Sequence, residues 1–305
     1  MLALKSFPCY KDAMRRFAGL AYFFVVSPVF ALSPLANVTA PVADVWSTPD
    51  AQRHTDDQRE TQVLYGEGVQ IFESSGAWTR VDVMDQPEFT HRQRWEGYPG
   101  WVATSALGPR KESRSDAYVR IPWLVRDHTV FPLGAILALR GGRDLRLIAL
   151  GPGNRAEILA TALRFQGVPY LWGGLSAGLP PQPLTYTAAP SHFGVDCSGL
   201  VHLSYRANGL TVPRDAHEQW IKAQPIHRRD LQPADLIFSA KADDPQKMTH
   251  VALYAGHGEI VEAPQTGLAV RKIPFEQKYG QPLARTESGD RVGERVIYFG
   301  RLFPR

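Results

Sequence analysis

The stretch Asp196-Cys197-Ser198-Gly199-Leu200 decides how the rest of this 305-residue chain reads. Aspartate favours a turn. The run after it, Ser198 to Asn208, has the pattern of a short amphipathic helix: Leu200, Val201, Leu203 and Tyr205 are apolar, and Asn208-Gly209 supplies a C-terminal stop. Cys197 then falls in the first helical turn. Unpaired backbone N–H groups and the helix dipole favour an anion there, and a thiolate is such an anion. That placement takes a cysteine pKa from about 8.5 into a range of roughly 3.5–7.5, which makes a nucleophile at neutral pH. The plain alternative is a small buried apolar residue.

The length suggests two or three domains. With 44% hydrophobic and 21% charged residues the composition is ordinary for a globular protein. Of the net charge of +4, Lys5, Lys11, Arg15 and Arg16 against Asp12 put +3 into the first 31 residues, so nothing calls for a nucleic-acid partner. Those residues have the form of a secretory signal peptide: a basic start, an apolar run from Phe17 to Val29, and the small-residue cleavage pattern Val29-Phe30-Ala31. The run is short and broken by Pro28, so no stable membrane span is expected after cleavage. An uncleaved anchor is the alternative. Cys9 leaves with the leader, and the mature chain holds one cysteine, Cys197, and no internal disulfide. A single odd thiol in an exported protein is either intermolecular or reactive.

Residues 38–108 read as short strands. Val63 to Tyr65, Gly68 to Phe72, Trp78 to Val83 and Gly100 to Val102 are β-rich, and Gly66, Ser74-Ser75-Gly76 and Gly97 punctuate them. This density of short strands suggests a small barrel. A second, shorter β segment covers Ala117 to Leu150, after the polar link Gly108 to Asp116. The composition changes at Gly151-Pro152-Gly153. Asn154 with Glu157 three residues on resembles a capping box, and Ile158, Leu159, Ala162, Leu163 and Phe165 form a helical stripe ended by Gly167. An extended aromatic run, Pro169 to Gly174, precedes a loop from Leu175 to Gly194, of a length at which loops are usually functional or disordered. Pro213 to Trp220 starts a second short helix. Leu231 to Ser239, His250 to Ala255, Ile260 to Ala263 and Val296 to Phe299 read as strands.

A thiol nucleophile needs a base. Of nine histidines, His257 sits in a Gly-His-Gly turn, His202 lies on another helix face, His54, His91 and His227 have polar surroundings, and His192 is in a loop. His250 opens a strand whose neighbours suggest burial on both faces, and a histidine there needs a partner. The hairpin across Gly256 to Gly258 supplies Glu262. In one register Glu262 pairs with Ala252 and lies diagonal to His250; in the other it stands directly opposite. Both place the carboxylate on the face of His250, where it can orient the imidazole and stabilise its cation. A solvated Glu262 at a strand end is the alternative. No spacing of a zinc site is present, so no metal is expected.

With these residues in place, the chain resembles the NlpC family of papain-like cysteine peptidases over about residues 154–303. Asp196 to Leu200, Pro169 to Gly174, the strand Leu231 to Phe238 and the strand His250 to Tyr254 occur in the family's order. The two β segments resemble bacterial SH3-like domains, with Glu60 to Gly66 and Gly97 to Val102 matching the first. The resemblance implies an α+β papain-like catalytic domain preceded by two all-β SH3-like barrels: 1–31 signal peptide, 32–110 and 111–153 the SH3-like domains, 154–305 the peptidase. It implies a thiolate–imidazolium pair of Cys197 and His250. Glu262 stands at a third position that is often histidine in the family. Tyr170 matches a tyrosine that assists the oxyanion hole with the Cys197 N–H. Trp172, Asp196 and Ser198, beside these motifs, are expected to contact substrate.

The activity implied is that of an exported, periplasmic or cell-envelope cysteine endopeptidase, needing no cofactor and working as a monomer on peptidoglycan peptides (muropeptides), at the bond between γ-D-glutamate and a diamino acid. Two carboxylates and a phenol, Glu60, Asp215 and Tyr98, match positions that close one end of the groove in similar enzymes, and they suit the ammonium of a free N-terminal L-alanine. Ala216 departs from the serine that relatives often have after that aspartate. A cell-wall amidase or acyltransferase on the same scaffold, or a non-catalytic wall-binding protein, is the rival reading.

Overall fold

The computed structural model describes residues 34–50, 54–110, 116–138, 144–149, 151, 153–181 and 189–303. The expected signal peptide, with Cys9, lies outside them, as does the middle of the 175–194 loop.

Seven strands come first: β1 (Leu35–Val38), β2 (Val42–Trp46), β3 (Arg59–Leu64), β4 (Gly68–Ser75), β5 (Trp78–Glu88), β6 (Glu96–Ala103) and β7 (Leu107–Pro109). They pair in the order β3-β2-β6-β5-β4-β1-β7, antiparallel throughout. Val81 and Val83 of β5 alternate inward and join Val45, Val63, Val69 and Val102 in a core of their own. The expected barrel is not closed by the described strand pairs, which leave β3 and β7 at opposite ends of an open path. Side chains of β3 reach the catalytic domain instead: Arg59 Nη1 donates to the Trp172 carbonyl (3.1 Å), and Gln62 Oε1 accepts from the Leu175 N–H (2.9 Å).

The next segment is smaller. β8 (Asp116–Val119) runs between β11 (Ile136–Ala138) and β12 (Leu147–Ala149), while β9 (Trp123–Arg126) and β10 (Thr129–Pro132) form a separate hairpin. Leu124, Phe131, Leu137 and Leu147 supply much of its core. No strand pairing closes this segment into a barrel either, among the described residues.

Three helices precede the last sheet: α1 (Arg155–Leu163), α2 (Cys197–Arg206) and α3 (Ala216–Lys222). The strands are β13 (Gln224–Pro225), β14 (Leu236–Lys241), β15 (Asp244–Gly256), β16 (Glu259–Glu262), β17 (Arg271–Pro274), β18 (Arg291–Val292) and β19 (Arg295–Arg301), with α4 (Phe275–Tyr279) after β17. Their order is β13-β19-β14-β15-β16-β17, and β18 pairs with β19. This helix-then-sheet arrangement is the α+β catalytic domain expected. Ile158, Leu200, Val201 and Leu203 pack with Phe238, Val251 and Leu253 of the sheet. A second cluster, on Ile237, Ala252 and Ile260, packs with Phe275 of α4. Among the described residues no helix is long and apolar enough to cross a membrane.

Helix α2 differs from the amphipathic surface helix that its pattern suggests, because every one of its residues is buried. Its polar side is covered rather than solvated. Arg206 forms a buried ion pair with Glu67, at the turn between β3 and β4, and stacks over Tyr118 of β8 at 5.1 Å to the ring centroid. Three segments of the chain thus meet on one guanidinium. Fully burying a leucine such as Leu200 contributes about 1.5–3 kcal/mol, so the helix carrying Cys197 is firmly seated.

Candidate active site

Asp196 caps α2: its Oδ1 accepts from the Gly199 N–H at 2.6 Å. Residue 199 must be glycine, because a Cβ there would collide with the Gly174 carbonyl oxygen. Asp196 is in turn gripped by the buried Arg214, whose Nη1 and Nη2 donate to Oδ1 (3.0 Å) and Oδ2 (2.8 Å). The same guanidinium donates to Ser198 Oγ (3.0 Å) and, from Nε, to Thr61 Oγ1 (2.8 Å) on β3. The first sheet therefore takes part in holding the start of the nucleophile's helix. Asp196 and Ser198 do not fit the substrate-contacting role expected of them. Both are buried, and their oxygens are engaged by the cap, by Arg214 and by each other.

Cys197 is 9% exposed. As the first residue of α2 its N–H has no carbonyl of the helix to meet, and it is available to a ligand oxygen. Burial, then the Asp196 charge, push the Cys197 thiol up to about 12, against the N–H groups of Val251 and Ser198 and the charge of Arg214, which favour the thiolate. Val251 is the residue after His250 in β15, so the thiol and the imidazole are brought to neighbouring places. No hydrogen bond joins Cys197 to His250 among the described residues. Burial also pulls His250 below its ordinary value of 6.5. Desolvation disfavours a charge on either group alone.

The structure chooses between the two hairpin registers. Leu253 pairs with Val261 and Tyr254 with Ile260, which carries Ala252 opposite Glu262 and leaves His250 diagonal. His257 turns the hairpin with φ at 51°, between Gly256 and Gly258, also at positive φ. His250 Nε2 meets Glu262 Oε2 at 2.8 Å. A carboxylate only accepts, so Nε2 carries the hydrogen and Nδ1 remains free to take a proton. Burial alone would raise the pKa of the Glu262 carboxyl, but His250 and Lys278 hold it down at about 2. Tyr170 packs against the same core as Cys197, and burial followed by the Cys197 charge raises its pKa. Trp172 is 53% exposed beside it and free to line a cleft.

Glu60, Tyr98 and Asp215 form a second group. Tyr98 Oη donates to Asp215 Oδ2 at 2.8 Å. Asp215 precedes α3 but makes no side-chain cap, so its carboxylate is not committed to the helix. Desolvation raises it toward 7, opposed by Arg214; with 39% of the side chain open, solvent tempers that rise and the direction is what matters. Burial likewise raises Glu60, against the His91 charge. His91, which its polar surroundings left unremarkable, completes the group: Nδ1 is 2.9 Å from Glu88 Oε2 and Nε2 is 4.0 Å from Glu60 Oε2. Its hydrogen bond to Glu88 raises its pKa, against desolvation.

Several members of the site were not singled out in the sequence. Arg271 donates to Glu262 Oε1 from Nε (3.1 Å) and Nη2 (2.8 Å), and Lys278 Nζ meets Oε2 at 2.9 Å. Arg271 is the cross-strand partner of Glu262, so extending the hairpin by one strand would have found it. Lys278 follows a chain reversal into α4 and has no such signal.

The model of the NlpC/P60 family matches residues 167–285. The chain is similar to a gamma-D-glutamyl-L-lysine dipeptidyl-peptidase of Bacillus subtilis, with 29% identity over 295 residues that cover 79% of this chain and 94% of that protein. A protein of the same name from Bacillus cereus is 30% identical over 252 residues, 71% of this chain and 70% of its own length. The crystal structure of an NlpC/P60 family protein from Bacillus cereus shares the fold, with a TM-score of 0.68 at 22% identity over 88% of this chain and 100% of that one. With a cysteine at a helix start, a histidine on the adjoining strand and relatives matching over most of their length, the chain belongs to the NlpC/P60 family.

Proposed function

We propose that this protein is an exported cysteine peptidase that hydrolyses the γ-D-glutamyl–diamino acid bond of peptidoglycan stem peptides beginning with a free L-alanine. The observation that carries the reading is the placement of Asp215. One oxygen accepts from Tyr98, and the other lies 3.5 Å from Arg214 Nη1, which also holds the cap of the Cys197 helix. A carboxylate free of the helix cap and the start of the nucleophile's helix are thus tied to one guanidinium. The names of the Bacillus relatives support the same bond class. The reading includes the division into a leader, two SH3-like domains and a peptidase, a monomer, and catalysis without a cofactor.

In the reaction, Nδ1 of His250 takes the Cys197 proton as Sγ attacks the γ-carbonyl carbon of D-glutamate. The Cys197 N–H and the Tyr170 hydroxyl receive the oxyanion. The intermediate collapses with cleavage of the C–N bond, and His250 returns the proton to the departing amine. A thioester remains. His250 then deprotonates a water, which attacks the thioester carbon; the C–S bond breaks, and the imidazolium returns its proton to the departing Cys197 sulfur. Glu262 balances the imidazolium that forms in both halves.

The test is incubation with purified muropeptides followed by mass spectrometry, with Cys197→Ala as the control. The expected products are an L-Ala-D-Glu dipeptide and a shortened peptide starting at the diamino acid, from the wild type alone. Cleavage elsewhere, acyl transfer, or equal turnover by Cys197→Ala contradicts the reading.

A further inference from the structure

Glu262 is fully buried and held by three partners at once. Arg271 occupies Oε1 through two nitrogens. His250 Nε2 and Lys278 Nζ share Oε2, at 2.8 and 2.9 Å. Lys278 is therefore a close neighbour of the imidazole, and the two cations outweigh the single carboxylate. The other charged or titratable groups about His250 are Cys197 from α2, Arg295 from β19 and the buried hydroxyl of Tyr279 on α4, with His217 of α3 accepting from the Met248 N–H at 3.4 Å.

This arrangement answers a difficulty that a carboxylate creates in the third position. A lone ionised carboxylate, buried on a histidine, stabilises the imidazolium and raises its pKa. Such a histidine is neutral for a smaller fraction of the time at a given pH, and only the neutral imidazole accepts the thiol proton. A cation on the same carboxylate oxygen offsets that field while leaving the hydrogen bond in place. We propose that Lys278 is a charge-tuning residue, positioned on Glu262 so that the carboxylate orients His250 without keeping it protonated. Its catalytic consequence rests on the peptidase reading; its electrostatic part does not. The downward displacement of His250 agrees with it, since burial comes first and Lys278 is the leading cation among its causes.

The test separates the two parts. The midpoint of His250 is read by NMR titration of protein labelled with 15N-histidine, in the Cys197→Ala background, with His250→Gln giving the assignment. Lys278→Met raises the midpoint by about one unit, a tenfold gain in imidazolium at fixed pH. Lys278→Arg leaves it within a few tenths, because the charge is retained. In the protein with Cys197 intact, the acid limb of kcat/KM on stem peptides moves upward with Lys278→Met by the same amount. Lys278→Gln serves if the Met variant does not fold. An unmoved midpoint in a natively folded Met or Gln variant, or an equal displacement in Lys278→Arg, overturns the proposal. If no wall peptide is cleaved at all, the peptidase reading fails while the titration still decides the role of Lys278.

Discussion

The Tyr98 hydroxyl donates to Asp215 at 2.8 Å, from β6 of the first sheet to the residue that precedes α3 of the catalytic domain. The bond engages a carboxylate whose ordinary use in that position would be a helix cap, and under the proposed function it holds that carboxylate for a substrate ammonium. Tyr98→Phe therefore releases Asp215 and weakens the hold on a substrate ammonium. A charged hydrogen bond contributes about 1.5–3 kcal/mol, so KM for a free-amine tripeptide should rise on the order of tenfold. kcat should change little. Steady-state kinetics check this, and a loss confined to kcat contradicts it.

The proposed amine site carries a pH dependence. Glu60 and Asp215 have raised pKa values, and both must be ionised to hold an ammonium. His91, also raised, is charged on the acid side and competes for Glu60. All three act in one direction: KM for a free-amine peptide falls as pH rises from about 5 to about 7, before the substrate's own amine begins to deprotonate. His91→Gln should flatten part of the change. A KM that is constant over that range argues against the pocket.

Arg214 is the node beneath the nucleophile. Arg214→Met leaves the buried Asp196 carboxylate without its ion pair, and breaking a buried pair by removing one partner costs about 3–5 kcal/mol. For a domain of this size the melting temperature should drop by roughly 10 °C. Arg214→Lys should recover little, since one ammonium cannot span both oxygens and Thr61. Thermal denaturation followed by circular dichroism decides, and a loss of under a few degrees would show that the network is dispensable.

The burial of the thiol makes a separate prediction. Because burial raises Cys197, alkylation by iodoacetamide in the free enzyme should quicken steadily with pH between about 6 and 9. A rate already at its plateau by pH 6 would mean a preformed thiolate–imidazolium pair.

What could be read from the chain follows the range of the interactions. Cys197, Asp196 and the start of α2 are local, and the cap formed as its residues demand. His250 and Glu262 are twelve residues apart in one hairpin, so strand alternation sufficed to bring them together. Tyr98 and Asp215, 117 residues apart, came from the family resemblance and not from any local pattern. The burial of Arg206 depends on Glu67 across 139 residues, which no helical periodicity reveals. The engagement of Asp196 and Ser198 by Arg214, itself held by Thr61 of β3, comes from outside the motif and has no local signal.

The central claim is that Cys197 cleaves stem peptides anchored by a free amine. It is tested most directly by one competition assay, L-Ala-γ-D-Glu-diaminopimelate against the same tripeptide N-acetylated, with cleavage followed by mass spectrometry. The account predicts release of diaminopimelate from the free tripeptide, little or none from the acetylated one, and neither with Cys197→Ala. Equal cleavage of both peptides, or cleavage that survives Cys197→Ala, would contradict it.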